Sequence, residues 1–168
     1  MAIRLTATTD PTAISGLPGP PVATATDTTT VNSSQVQLLK EQALDATCAG
    51  TGPFVYSSAS IPSALPGVCI RYRITATNVG TTNVTVVTIS DATPPNTVYD
   101  DGSRPGPGLG CTGAVDAAAA AVVIPAGAAP VLTPAPPACD SAGGVGATVA
   151  TLTPTQALVL TFGVMINP

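Results

Sequence analysis

One stretch limits the possible folds more than any other: Cys69–Tyr99, CIRYRITATNVGTTNVTVVTISDATPPNTVY. Ile70, Tyr72, Ile74 and Ala76 fall on one parity, and Arg71, Arg73, Thr75 and Thr77 on the other. A period of two with β-branched residues marks a half-buried strand. Asn78-Val-Gly80 and the threonines after it provide a reversal, because Asn and Gly accept the positive φ that a turn needs. In the strand that follows, Val84 and Val86 share one parity and Val87 and Ile89 the other. Such a slip predicts either a β-bulge or a strand buried on both faces. Pro94 and Pro95 then end the run, since proline has no N–H to give a ladder. The expectation is a β-hairpin at the centre of a sandwich.

The flanking segments extend this all-β reading. Leu158, Leu160, Phe162, Val164 and Ile166 share one face of a closing strand over 157–166, the clearest core stripe in the chain. Residues 145–152 predict another strand. Residues 117–124 are a strand candidate that opens with five alanines, a helix-favouring run confined by Pro125 and the prolines at 134–137. The run VQLLKEQAL at 36–44 is rich in helix formers but spans barely two turns, and reads as a first strand. Residues 47–66 predict a loop with one short strand around Phe54-Val55-Tyr56, and residues 100–113 a Gly/Pro loop.

The run YRITATNVGTTNVTVVTISDATPPNTVY resembles the DUF11 repeat family, whose hallmark is a Tyr-x-Ile-x-Val-x-Asn-x-Gly strand and turn. The upstream QVQLLKEQALD fits that family's first strand, and TLTPTQALVLTFGVMI fits its last. The resemblance covers roughly residues 35–167. It implies an immunoglobulin-like β-sandwich of bacterial surface or secreted proteins, and no catalysis. The Ala/Pro/Gly-rich insert before the last strand and the four cysteines depart from the family pattern.

Composition agrees with an extracellular role. Apolar residues make up 45% of the 168, aromatic residues only 3%, and Trp is absent. Charged residues are 8%, against about a quarter in an ordinary soluble domain. Surface polarity must therefore come from Thr, Ser, Asn and Gln, and part of the surface is expected to be covered by neighbours. Five basic residues scattered at 4, 40, 71, 73 and 104, within a net charge of −4, form no cationic stripe and disfavour nucleic acid.

Cys48, Cys69, Cys111 and Cys139 are an even set without a Cys-x-x-Cys pair, in a chain without histidine. Disulfides are favoured over free thiols or a metal site. Four cysteines allow three connectivities; the local one, 48 with 69 and 111 with 139, closes two loops that do not cross. Each closure stabilises by roughly 3 kcal/mol in the chain-entropy model and implies an oxidising compartment. Residues 1–10 show neither a basic nor an apolar signal region. That fits a processed secreted chain or a virion component.

Without histidine no ordinary Ser or Cys triad can be built, and no catalytic residue, cofactor, metal or small-molecule substrate is expected. Asp100-Asp101 reads as a solvated turn in preference to a calcium site. An internal amide between Lys40 and Asn167, promoted by Asp91 or Glu41, is disfavoured because Asn167 lies next to the terminus and the disulfides already provide staples. Asn32 and Asn83 begin glycosylation sequons, relevant only in a glycosylating host.

The first 34 residues form a separate region, an extended N-terminal arm ahead of the domain at 35–168. Ile3, Leu5 and Ala7 alternate with Arg4, Thr6 and Thr8 in a predicted strand. A stiff GLPGPP joint at 16–21 and a Thr-rich run at 22–31 follow. Fully extended, the arm reaches on the order of 100 Å. Donation of Ile3, Leu5 and Ala7 to a neighbouring copy's sheet by β-augmentation is the favoured expectation. Pairing back onto its own domain, or fraying, are the alternatives. The sequence thus points to copies of itself as partner, in an extracellular, pilus-like structural filament on a bacterial surface. A cell-surface adhesive module using loops 100–113 and 125–145 is an alternative, weakened by the lack of aromatic residues there. A virion decoration or fibre protein is another.

Overall fold

The computed structural model describes residues 2–7, 25–30, 35–62, 64–113 and 119–168. The joint at 16–21, the sequon at Asn32, and Ala117 and Ala118 lie outside them. The chain divides into two compact units, residues 1–33 and 34–168.

In the first unit, β1 (Ala2–Ala7) pairs antiparallel with β2 (Ala25–Thr30) as a two-stranded ribbon. Ile3, Leu5 and Ala7 stand opposite Thr29, Asp27 and Ala25.

The second unit is an all-β sandwich of two antiparallel sheets, and no helix occurs among the described residues. Its strands are β3 (Val36–Asp45), β4 (Cys69–Asn78), β5 (Val84–Ala92), β6 (Thr97–Asp100), β7 (Ala120–Ile124), β8 (Val131–Leu132), β9 (Gly144–Leu152) and β10 (Ala157–Ile166). One sheet runs β3-β4-β10-β6, with β7 also on β10; the other runs β5-β9-β8. The helix formers of β3 are overridden by its ten-residue register with β4.

The central segment corrects the hairpin expectation. β4 and β5 are both strands, but they belong to different sheets. β4 is already flanked by β3 and β10, so it has no free edge for β5. The turn between them crosses the sandwich, pinned by the buried Asn78. Its Nδ2 donates to the carbonyls of Thr82 (2.8 Å) and Leu152 (2.9 Å), and its Oδ1 accepts from Gly80 N (3.0 Å). The expected strand at 54–56 is absent; that loop makes only an isolated bridge between Ser57 and Gln42.

The core lies between the sheets, as the stripes require. Ile70, Tyr72, Ile74 and Ala76 of β4 and Leu158, Leu160, Phe162 and Val164 of β10 face Val87 and Ile89 of β5 and Val145, Ala147, Val149 and Leu152 of β9. The rings of Tyr72 and Phe162 stack 5.2 Å apart.

The parity slip in β5 is a local turnover and not a two-against-one bulge. Val84 pairs with Leu152 and Val87 with Val149 in unchanged register, and the pair Val86 and Ala150 is skipped. Both strands change their inward parity there, so Val84, Val87 and Ile89 all reach the interior. Val86 takes φ 54° and is 72% exposed. A β-branched residue in the left-handed region costs about 1–2 kcal/mol, which asparagine and glycine largely avoid. Val86→Asn is therefore expected to raise the thermal midpoint, with a gain on the order of 1 kcal/mol. An unchanged or lower midpoint would show that Val86 is not strained.

Candidate functional site

Two features stand out: a buried charge cluster at one end of the first sheet, and an open edge along one side of the sandwich.

The cluster is built on a cross-strand row. Gly163 of β10 stands between Arg71 of β4 and Asp100 of β6. A Cβ at Gly163 would overlap the Arg71 guanidinium and lie 2.9 Å from the Asp100 carbonyl. The missing side chain lets Arg71 lie across β10 and reach β6. Its Nη2 meets Asp100 Oδ2 at 2.5 Å, and its Nε donates to Asp45 Oδ2 at 3.0 Å. From the far side, Arg104 Nε donates to Asp100 Oδ1 (3.0 Å), and its Nη2 reaches Asp140 Oδ1 (2.5 Å). Asp45, Arg71, Asp100 and Arg104 are all buried. Among the described residues, no buried side-chain polar atom lacks a hydrogen-bond partner.

The disulfides frame this cluster. Cys48–Cys69 ties the loop after β3 to β4, and Cys111–Cys139 ties loop 101–113 to the segment before β9. Asp45 accepts from Gly50 N (3.0 Å) and Thr47 N (3.3 Å), and Asp140 accepts from Cys111 N (3.2 Å). Charge and disulfide thus hold the same loops onto the outer face of the sheet. Two disulfides are compatible with an extracellular protein. No helix among the described residues is long and apolar enough to cross a membrane.

The carboxyls respond differently to these surroundings. Burial alone would raise the Asp45 carboxyl, but the Gly50 N–H and Arg71 outweigh it and hold the group below 3.8. Burial likewise acts upward on Asp140, where Arg104 and the Cys111 N–H prevail and lower it. For Asp100 burial wins and pushes the carboxyl up, against Arg71, the Gly102 N–H and Arg104.

Sequence reasoning missed this site. Alternation puts Arg71 on the polar face of a half-buried strand, yet it is buried. Asp100 is neither a solvated turn nor open to calcium, because both its oxygens are taken by arginines. Asp100, Asp101, Cys111 and Cys139 do lie close together. The two sulfurs, however, are joined to each other and offer no thiolate. The available signal was Gly163 itself, a gap in the apolar run of the last strand.

The Lys40–Asn167 amide is overturned. Lys40 stands opposite Ile74, which stands opposite Leu160, seven residues before Asn167 along β10. That separation is roughly 23 Å at strand rise. Lys40 instead meets Asp91 at 2.5 Å, while Glu41 pairs with Arg73.

The open edge belongs to β3. Gln42 exchanges backbone hydrogen bonds with Ser57 on the edge facing away from β4. By the period of two, Lys40, Leu38 and Val36 direct their N–H and C=O groups to that same edge. Over Val36–Glu41 this edge has no strand partner among the described residues. Leu38 is 64% exposed and Leu39 47%. Beside it runs a groove of about 440 Å³ between the sheets, lined by Leu38, Lys40, Ile74, Ile89 and Asp91. The Lys40–Asp91 ion pair bridges β3 and β5 there.

No family model, curated protein or solved structure matches this chain.

Two outcomes are expected for the cluster. Gly163→Ala should destabilise the sandwich by about 2–4 kcal/mol, since the added methyl displaces Arg71 from Asp100; a change under about 0.5 kcal/mol in denaturant unfolding would contradict the crossing. Asp45 has a lowered folded pKa, so its stability contribution is complete above pH 3.8 and disappears as pH falls through the folded value. Asp45→Asn should therefore lower stability at neutral pH and flatten its decline below pH 3.8. Parallel acid limbs for the two proteins would count against that role.

Proposed function

We propose that this chain is an extracellular structural subunit that assembles with copies of itself by strand complementation, residues 1–33 of one copy completing the sheet of the next. The observation that carries the reading is the edge of β3 over Val36–Glu41, which exposes Leu38 and Leu39 and has no strand partner among the described residues. A long, flat edge with exposed leucines is a template for another strand, and proteins normally guard such edges with charge, proline, bulges or short length. The DUF11-like hallmark and the disulfides support a secreted, immunoglobulin-like module. Low charge and abundant threonine suit a surface that packs against neighbours. Main-chain hydrogen bonds supply affinity in such assemblies, and side-chain pockets supply selectivity.

The reading is tested on the full chain, the chain lacking residues 1–33, and full-length Leu38→Glu, by negative-stain microscopy and light scattering. Filaments or long oligomers are expected from the full chain alone. Leu38 is largely exposed, so Leu38→Glu should keep the thermal midpoint while abolishing assembly. Monodisperse monomers of the unaltered full chain, or equal assembly by all three proteins, would overturn it.

A further inference from the structure

The arm is a ribbon and not a lone strand, and this decides how it can dock. β1 and β2 pair over six residues each, in a unit of their own. An isolated two-stranded hairpin is at best marginally stable in water, and a third strand with an apolar face is what stabilises it. Among the described residues no third strand pairs with the ribbon, and none pairs with the outer edge of β3 over Val36–Glu41. Their lengths agree: six residues of β3, Val36–Glu41, are open.

The other edges of the sandwich are poorer acceptors. β5 is interrupted at Val86, where the ladder skips a pair. β6 is covered by the chain at 140–141, through Tyr99 N to Ser141 O (2.9 Å) and Asp140 N to Tyr99 O (3.0 Å). β7 has five residues and ends at Pro125, and β8 has two and ends before Pro134. Each carries one of the devices that discourage strand addition. The open half of β3 carries two charges, Lys40 and Glu41, and each is held by a neighbouring strand, Lys40 by Asp91 of β5 and Glu41 by Arg73 of β4.

The two strands of the ribbon differ in sequence. β1 reads AIRLTA, with Ile3, Leu5 and Ala7 alternating; β2 reads ATDTTT, without a large apolar residue. We infer that the ribbon docks as a unit on β3 of a second copy, with β1 against β3 and β2 outermost. This rests on the strand-complementation reading above and adds its acceptor, its stoichiometry of two strands, and their order. Ile3, Leu5 and Ala7 then enter the groove beside Leu38, Ile74 and Ile89. The threonines and Asp27 of β2 form the new edge, a polar one that ends strand addition. The completed sheet runs β2-β1-β3-β4-β10, its first two strands coming from the neighbour.

A photo-crosslinking residue in place of Leu38 tests the order: Leu38→p-benzoylphenylalanine in the full chain, as an equal mixture of 14N- and 15N-labelled copies. The expected products after illumination are covalent dimers and longer ladders. About half of the dimers should be isotopic hybrids, and the links should map to residues 2–8. Links to residues 25–30 would overturn the strand order. Links confined to one isotope would show the ribbon folded onto its own β3, and would overturn the exchange between copies. Filaments without any link to residues 2–30 would overturn this inference but leave a polymer. Monomers without any link would remove the complementation reading as well.

Discussion

A strand at the end of a sheet leaves half of its backbone N–H and C=O groups facing outward, and the second unit of this chain depends on how that constraint is met. β4 and β10 are paired on both sides, and the loop at 140–141 covers β6. β5 is broken at Val86, and β7 and β8 are short. Along the open half of β3 no strand among the described residues pairs with these groups, next to exposed Leu38 and Leu39. Natural sheets seldom leave an edge of that composition bare. The physical problem is local, and a six-residue strand is enough to solve it.

The opposite character of the Arg71 row gives this openness its meaning. Two disulfides and five charged side chains hold the loops over one end of the first sheet. Breaking one member of a buried ion set typically costs 3–5 kcal/mol, because its partner is left buried and uncompensated. The loops around Asp45, Asp100 and Asp140 are therefore held in place by charge as well as by covalent bonds. A sandwich stiffened in this way can keep its shape with one edge of β3 unpaired among the described residues. In a chain with so few aromatic residues, that stiffness cannot come from large core side chains alone.

Much of the fold was legible in sequence because the apolar stripes have period two. β4 and β10 lie where alternation placed them, β9 covers the strand expected at 145–152, and β3 is a strand despite its helix formers. Pairing was less legible. The turn at Asn78 has hairpin residues, but which sheet β5 joins depends on whether β4 has a free edge, and that is a tertiary fact. β6 and β8 are too short to show a period, and each is fixed by its neighbour. The charge cluster was hidden for a different reason. Alternation assigns Arg71 to the face away from the core, which is correct, but it says nothing about loops that bury that face. The open edge was hidden as well, since a sequence shows a strand and not which of its sides is paired.

Hydrogen exchange at the amides of Val36, Leu38 and Lys40 tests the central claim most directly, compared between the full chain at assembling concentration and the chain lacking residues 1–33. If a strand covers this edge, these amides exchange at least about 100-fold more slowly in the full chain, while those of β4 and β10 are equally protected in both. Equally fast exchange of the three amides in both proteins would contradict the account, because the edge of β3 would then be bare in the assembled protein too.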